Sequence, residues 1–328
     1  TYWHNYRDNL AKALEAFDIE ADGLEPAKAL IASCGKKPVL ADDNGVTQAI
    51  RTQLLARGVA PQTADRVLAF AVKYARKETE RGTYQAMEAL VHNLNTMHSR
   101  AGAQIPFSSL NYGTDTSPEG RLVVKNLLLA TEAGLGNGET SIFPIHIFKV
   151  KEGVNYNPGD PNYDLFKLAM RVSAKRLFPN FSFIDAPFNV KYYKPGHPET
   201  EAAYMGCRTR VIGNVYDPSR EIVNGRGNLS FTSINLPRLA IKAKGNADVF
   251  FRSLDDMLDL VVEQLLARFQ IQADKRVRNY PFLMGQGIWL DSDKLGPDDK
   301  VGEVLKHGTL TVGFIGLAEC LKALMGVH

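Results

Sequence analysis

The sequence predicts an α/β protein whose first hundred residues are helical. Two observations support this fold class. Apolar residues recur at helical spacing over residues 1–100. Beyond residue 100, short β-branched apolar runs alternate with amphipathic segments, which is typical of a buried, largely parallel sheet or barrel. We therefore expect a helical segment over 1–100 and part of an α/β domain over 101–328.

The helical part begins with the amphipathic run 1–17 and contains a longer one over 62–97. Apolar residues of the longer run lie three, four or seven positions apart, except around Gly82. This spacing predicts one long helix or two stacked helices, with an apolar stripe that packs in a core or at a subunit interface. The stripe consists of Val67, Phe70, Tyr74, Tyr84, Met87, Val91 and Leu94.

After residue 100, turn and cap residues separate the runs. Ser117 and Pro118 are the residue types preferred at a helix N-cap and at the first helical position, and Gly134 or Gly136 would end that helix. Pro179 would end a later helix. Strand-like runs cover 105–113, 140–150, 181–187 and 228–236, further helical runs cover 160–179 and 246–271, and 308–325 is a strand leading into a helix.

The composition favours an ordinary soluble, cytoplasmic protein. Of 328 residues, 45% are hydrophobic and 23% are charged, and the formal net charge of +3 favours neither a nucleic-acid nor a membrane partner. The sequence contains no signal peptide and no long apolar run. Three distant cysteines form no disulfide framework, and the absence of a CxxC pair leaves no obvious zinc ligands. The first residue is Thr1, so we expect a piece of a longer protein.

The stretch "AYMGCRTRVIGN" (203–214) places Cys207 directly after a glycine, between two predicted strands. That pattern favours a loop tip where backbone approaches a ligand. Arg208 and Arg210 could stabilise a thiolate, bind phosphate or simply anchor the loop. Local chemistry alone leaves open that Cys207 is a packing residue, as most free cysteines are. The seven histidines lie in no recognisable motif, so a hydrolytic Cys/His pair has little support.

Small-residue turns are the candidates for binding phosphate, because no Walker P-loop is present. In "GFIGLAE" (313–319), two glycines lie where a strand passes into a helix, so free N–H groups and the helix dipole could face an anion. The turns "MGQGIW" (284–289) and "SSLNYGTDTS" (108–117) are similar. The candidate substrate-binding residues are Gly313, Phe314, Ile315, Gly316, Ser108, Ser109, Met284 and Gly285.

Several long stretches resemble the anaerobic, glycyl-radical ribonucleoside-triphosphate reductases. The resemblance runs almost continuously over 84–325. The stretches that carry it include "VHNLNTMHSRAGAQIPFSSLNYGTDTSPEGR", "AYMGCRTRV", "GRGNLSFTSINLPRLAI", "FLMGQGIWL" and "GTLTVGFIGLAECLKAL". The resemblance implies part of a ten-stranded α/β barrel, with the segment near 203–214 as a finger loop threaded through its centre.

The resemblance also implies roles for two residues. Cys207 would carry a transient thiyl radical at the tip of the finger loop. Asn228 would face the substrate, where an amide can orient ribose hydroxyls without bringing a charge into a dry site. Apart from the resemblance, Asn228 could equally be a strand-start asparagine that caps a turn. Asn235 and Arg238 are expected to serve structure at the barrel end.

The remaining implications concern partners and cofactors. The substrates would be ribonucleoside triphosphates, the reductant formate, and the effectors ATP and deoxynucleotides. A radical S-adenosylmethionine enzyme would activate the protein, and residues 1–100 would serve a homodimer and an effector site. We expect the glycyl radical and a four-cysteine zinc site to lie beyond residue 328, a second active-site cysteine to lie upstream of residue 1, and no metal in this segment.

Two alternatives remain open from the sequence. The chain could belong to another glycyl-radical enzyme, such as a relative of pyruvate formate-lyase, but its finger loop differs from theirs. It could also be a nucleotide-binding or dimerisation module without turnover.

Overall fold

A computed structural model describes residues 2–19, 25–41, 44–98, 105–206 and 209–326. The α-helices are α1 (Tyr2–Ala16), α2 (Pro26–Ala32), α3 (Val46–Ala56), α4 (Pro61–Thr96), α5 (Pro118–Ala133), α6 (Tyr163–Arg176), α7 (Pro187–Val190), α8 (Leu236–Ala243), α9 (Ala247–Ala273), α10 (Gly302–Leu305) and α11 (Leu317–Met325). The strands are β1 (Ser109–Tyr112), β2 (Ile145–Val150), β3 (Asn180–Phe183), β4 (Ala203–Met205), β5 (Thr209–Val211), β6 (Asn228–Asn235) and β7 (Thr309–Ile315). Short 3₁₀ turns lie at Pro198–Thr200, Val277–Asn279 and Ser292–Lys294.

The described strands form three separate sheets. Strands β1, β2 and β3 are parallel and adjacent in that order. Strands β4 and β5 form an antiparallel hairpin, and β6 pairs in parallel with β7. The expected alternation of strands and helices after residue 100, with parallel pairing, is therefore confirmed. A closed ten-stranded barrel stays a prediction.

The chain forms two compact units, Thr1–Ala186 and Pro187–His328. The expected division at residue 100 lies inside the first unit, where the helical part packs against α5. Asn95, near the end of α4, donates from Nδ2 to the carbonyl of Phe143 (2.6 Å) and accepts from the N–H groups of Ile142 (2.8 Å) and Phe143 (3.0 Å). This side chain ties the helical part to the segment that precedes β2.

The long run 62–97 is one helix, since α4 continues through Gly82. Its first half buries Val67, Ala71 and Ala75 against the core that α1, α2 and α3 also line. Val91, in the second half, is also buried, at 1% exposure. Two members of the predicted apolar stripe, Val67 and Val91, are thus buried within their own chain, whereas the other five stay partly exposed.

The first sheet is covered by α5 and α6. Ser117 caps α5 by accepting from the N–H of Gly120 (3.1 Å), as its residue type predicts. Among the buried side chains, Phe148 of β2 contacts Leu128 of α5 and Ala169 of α6 in one apolar cluster. A buried strand of this kind needs an apolar run, which explains the sequence of β2.

A histidine lies inside this apolar layer. The hydroxyl of Tyr112 lies 3.0 Å from Nδ1 of His146, and the hydroxyl of Thr131 lies 3.4 Å from its Nε2. The Thr131 hydroxyl donates to the carbonyl of Leu127 (2.8 Å), so it is free to accept from Nε2–H of the imidazole. Burial lowers the pKa of His146 to about 4 and raises the pKa of Tyr112. The ring is therefore neutral at pH 7, and its two nitrogens are satisfied by hydroxyl groups.

The second unit has two apolar clusters around β6 and β7. In one, Ile234 of β6 and Leu239 of α8 contact Leu265 of α9, and Cys320 of α11 completes the layer. In the other, Met284 and Trp289 pack with Val301 and neighbouring residues of the turn-rich segment 277–305. In the part of the chain that the structure describes, no helix is long and apolar enough to cross a bilayer.

Candidate functional site

The hairpin of β4 and β5 occupies the stretch that the sequence marks as a finger loop. Met205 pairs with Thr209, and Gly206 adopts a left-handed φ of 61° at the end of the first strand. The positive φ explains the glycine, because other L-residues rarely adopt this conformation. Cys207 and Arg208, which connect the two strands, lie outside the described residues.

The second strand of the hairpin is anchored through Arg210. Its guanidinium donates to Oδ1 of Asn189 (3.2 Å) and lies 5.0 Å from the ring centroid of Phe188. Among the roles that the sequence left open for Arg210, these contacts favour anchoring of the loop over binding of phosphate.

Asn228 begins β6 on an open face of the sheet. Its Oδ1 accepts hydrogen bonds from the hydroxyl groups of Thr309 (2.9 Å) and Thr311 (2.8 Å) on β7. A β-bulge separates Asn228 from Ser230, since Asn228 pairs with Thr309 but Ser230 pairs with Leu310. Asn228 is exposed, and its side-chain oxygen bonds to two residues of β7 rather than to the backbone of a turn, so these contacts do not support the turn-capping alternative.

At the carboxyl ends of β6 and β7, both strands lead directly into helices. Asn235 caps α8 by accepting from the N–H of Arg238 (3.1 Å), which confirms its structural role. Gly316 precedes α11 with a φ of 70°, and a Cβ there would collide with the ring of Pro237. No side chain caps the first turn of α11, so its N–H groups follow β7 in an arrangement suited to an anionic ligand. The first turn of α8 offers fewer donors, because Asn235 already bonds to the N–H of Arg238 and Pro237 has no N–H.

Gly313 lies in β7 opposite Ser233 of β6. A Cβ on Gly313 would lie 3.0 Å from Oγ of Ser233, so glycine keeps this face of the sheet clear. Phe314 and Ile315 follow it and are exposed at 62% and 56%. The structure thus brings Asn228 and the segment Gly313–Gly316 onto one pair of strands.

The other two candidate turns belong to neither β6 nor β7. The Met284 side chain is 2% exposed and packs in the core, so Met284 itself could contact a ligand only through its backbone. A Cβ on Gly285 would lie 2.5 Å from the carbonyl oxygen of Pro281. Ser108 and Ser109 lie at the amino end of β1 in the first unit, where the carbonyl of Ser108 accepts from the N–H of Ile145 (2.8 Å). Their assignment to the substrate stays a prediction.

A half-buried arginine fixes the connection between the hairpin and Asn228. Arg226 donates to the carbonyls of His307 (2.9 Å), Ile222 (3.1 Å) and Gly213. Burial lowers the pKa of its guanidinium. Because His307 lies just before β7, Arg226 joins the end of the hairpin connection to the start of that strand.

A second polar cluster lies beside this arginine. Asn214 donates from Nδ2 to Nδ1 of His307 (3.1 Å), so Nε2 carries the proton and donates to Oδ2 of Asp291 (3.2 Å). The guanidinium of Arg220 pairs with both carboxylate oxygens of Asp291 (2.9 and 2.5 Å) and with Asp217 (2.6 Å). Hydrogen bonds from Arg220 first, and then from Lys294, hold the pKa of Asp291 well below its usual range. The cluster braces segment 212–226 against segment 289–309.

The other cysteines are packing residues. Cys320 is 2% exposed, and burial raises the pKa of its thiol. Cys34 donates from Sγ to the carbonyl of Leu30 (3.2 Å) within the helical part. Among the described residues, no group of three or more His, Cys, Asp or Glu side chains could hold a metal ion.

Sequence reasoning missed four residues of this site: Thr309, Thr311, Arg226 and His307. The alternating threonines of "GTLTV" were a usable signal, because residues i and i+2 of a strand face the same side. Arg226 and His307 gave no such signal, since their partners are distant in the sequence.

Comparison with known proteins shows which family the chain belongs to. A family model described as anaerobic ribonucleoside-triphosphate reductase matches residues 47–328. The chain is 36% identical over 256 residues to the anaerobic ribonucleoside-triphosphate reductase of Salmonella typhimurium. The aligned region covers 77% of this chain and 35% of that protein. The corresponding values are 35%, 77% and 35% for the Escherichia coli protein of that name, and 34%, 76% and 34% for the one from Haemophilus influenzae. The chain spans about a third of the length of these curated relatives, and it belongs to the anaerobic ribonucleoside-triphosphate reductase family.

Proposed function

We propose that the full-length protein is an oxidoreductase that converts ribonucleoside triphosphates into 2′-deoxyribonucleoside triphosphates without oxygen. This chain would supply its finger hairpin and part of a ten-stranded α/β barrel. The observation that carries the proposal is Asn228, exposed on an open strand face in a chain of the reductase family. Family membership also removes the pyruvate formate-lyase alternative.

Cys207 is the proposed site of radical chemistry. A sulfur-centred radical at Cys207 would take the hydrogen atom from C3′ of the ribose, after which the 2′-hydroxyl would leave as water. Formate would supply two electrons and leave as carbon dioxide, and the Cys207 thiol would return its hydrogen atom to C3′. In total, one ribonucleotide and one formic acid give one deoxyribonucleotide, one carbon dioxide and one water. A glycine radical elsewhere in the full-length protein would supply the unpaired electron.

Asn228 and the segment Gly313–Gly316 are the proposed substrate contacts in the second unit. Asn228 would orient the ribose, because a misplaced reacting group lowers the rate of a radical transfer as it does that of any other step. The N-terminus of α11 would bind the triphosphate through N–H groups that no side chain caps. Gly316 supports the proposed phosphate site in two ways. Its left-handed φ favours glycine, and a Cβ at this position would collide with the ring of Pro237, so the backbone here stays free of side chains.

The proposed partners follow the family. They are formate, ATP and deoxynucleotide effectors, a radical S-adenosylmethionine activating enzyme, and a second copy of the protein. Residues 1–100 are the proposed dimer and effector region. The second candidate function is a nucleotide-binding and dimerisation module without turnover, which the same helical part would also suit.

An anaerobic assay of the activated full-length protein with carbon-labelled formate tests the proposal. We expect labelled carbon dioxide and deoxyribonucleotide in a ratio of one to one, and loss of both products after exposure to air. A full-length protein that binds nucleotide and dimerises but forms no deoxyribonucleotide would overturn the reductase and support the module.

A further inference from the structure

The amide oxygen of Asn228 accepts hydrogen bonds from two hydroxyl groups. Thr309 lies directly opposite Asn228 in the parallel pair, and Thr311 lies two positions further along β7 on the same face. Both hydroxyls lie within hydrogen-bond distance of Oδ1, at 2.9 and 2.8 Å. Threonine suits this task because its β-branched side chain has few χ1 rotamers.

The β-bulge at Leu229 explains how Asn228 reaches this face. Ser230 accepts from Arg268 of α9 (3.2 Å) and Thr232 donates to Gln264 of α9 (2.9 Å), so these two residues face the helix. In an unbroken strand, Asn228 would share their face, because side chains two positions apart point the same way. The extra residue of a bulge re-aims the side chain before it, and here it turns Asn228 away from α9.

Two donors occupy the acceptor sites of the Asn228 amide oxygen. A carbonyl oxygen has two lone pairs, and the hydroxyls of Thr309 and Thr311 use both. The amide NH₂ group carries two donors, and no bond from it to another described residue is observed. Because Asn228 is exposed, that group is left to donate outward from the open face.

We propose that Thr309 and Thr311 are positioning residues that make Asn228 a hydrogen-bond donor to a ribose hydroxyl oxygen of the substrate. This inference rests on the proposed function and adds to it the polarity of the contact. The amide oxygen accepts hydrogen bonds from the two threonines, and the amide NH₂ group donates to the substrate. In this arrangement both threonine hydroxyls donate to Oδ1, which leaves the two N–H groups of the amide for the substrate.

The test uses the activated full-length protein with the double substitution Thr309→Val and Thr311→Val, which keeps the β-branched shape and removes both hydroxyls. We expect kcat to fall about 10²-fold, as for a misplaced reacting group, with KM changed by about threefold or less. The double Thr→Ser variant keeps both hydroxyls and is expected to restore most of kcat. Thr232→Val is the matched control, since it removes a hydroxyl from the α9 face of the same sheet.

Binding gives a readout that a structural role would not change. Wild-type protein should bind a ribonucleoside triphosphate more tightly than the analogue that lacks the contacted ribose hydroxyl. The double valine variant should bind the two equally, while its thermal unfolding midpoint stays close to that of wild type. Unchanged discrimination in the double variant, or full kcat, would overturn the positioning role.

The orientation of the amide has its own test. Asn228→Asp keeps oxygen acceptors for both threonines but loses the NH₂ donors, so we expect it to fold and to be as impaired as Asn228→Ala. Activity near that of wild type in Asn228→Asp would show that an oxygen serves the substrate, which overturns the proposed polarity. A wild-type protein without any reductase activity would instead overturn the proposed function, and with it this inference.

Discussion

Asn228 owes its direction to a bulge in its own strand and to two hydroxyls on the neighbouring one. The sequence could name Asn228 through the family resemblance, but it could not give the polarity of the amide. That polarity depends on Thr309 and Thr311, which lie more than eighty positions away in the chain. Likewise, the burial of Met284 could not be read from a glycine-containing turn, because it results from packing against Trp289 and Val301.

The first prediction at this scale concerns Asn228→Ala in the full-length protein. We expect turnover to fall about 10²-fold, because the ribose loses a group that orients it. The melting temperature should change little, since the side chain is exposed and caps no helix. Asn246→Ala is the control for a capping asparagine, because Asn246 accepts from the N–H of Val249 (3.1 Å), and it should cost about 1 kcal/mol of stability. A stability loss of that size in Asn228→Ala, with full turnover, would contradict the assigned role.

The second prediction concerns the buried imidazole of His146. Nuclear magnetic resonance of labelled histidine, assigned with His146→Gln, should give a pKa of about 4 because burial disfavours the charged ring. The folded pKa lies below the ordinary value of 6.5, so the associated stability is complete above pH 6.5 and is lost as pH falls toward 4. The loss should be on the order of 3 kcal/mol. His98→Gln replaces an exposed histidine and controls for the effect of a histidine substitution on stability. A titration midpoint near 6.5 for His146 would contradict the prediction.

At the scale of elements, periodic segments were predictable and aperiodic ones were not. The positions of α4, α5, α9 and β7 follow from their periodicity and cap residues, with boundary shifts of a few residues. Segments 212–226 and 277–305 have no period, and they are fixed by Arg226, Arg220 and Asp291 through partners far away in the chain. Sequence patterns report local geometry, whereas these segments depend on long-range polar contacts.

The prediction at this scale concerns the turn between β7 and α11. Gly316→Ala should destabilise the protein through a left-handed φ of 70°, which costs about 1–2 kcal/mol, and through collision with Pro237. Gly326→Ala is a matched control, because its φ is 78° but a Cβ there would meet no atom within 4 Å. Chemical denaturation should show a larger loss for Gly316→Ala, and equal losses would contradict the proposed close packing at this turn.

For the whole molecule, the family and the α/β class were predictable from the sequence. Which residues of the α4 stripe are buried within their own chain was not predictable. The spacing of the stripe fits a core and a subunit interface equally well, and only the positions of α1 and α5 decide which residues are covered. Val67 and Val91 are buried within their own chain, whereas Met87 and Leu94 remain partly exposed. The proposed dimer and effector role of residues 1–100 would therefore depend on the part of the stripe that stays exposed.

The prediction at this scale is that Met87→Glu with Leu94→Glu converts the proposed dimer of the full-length protein into a folded monomer. A two-fold interface repeats each substitution, so two changes place four charges in it. Val91→Lys is the contrasting variant and should unfold the subunit, because it buries a charge in an apolar site. Sedimentation with circular dichroism checks both variants, and a dimer that survives the double substitution would place the interface elsewhere.

The central claim is that Cys207 performs the radical step, and Cys207→Ser in the activated full-length protein tests it most directly. An oxygen-centred radical is far harder to form than a thiyl radical, so we predict that deoxyribonucleotide formation is abolished. The glycyl-radical signal in electron paramagnetic resonance should persist, and Cys34→Ser and Cys320→Ser should remain active as packing residues. Normal deoxyribonucleotide production by Cys207→Ser would contradict the account.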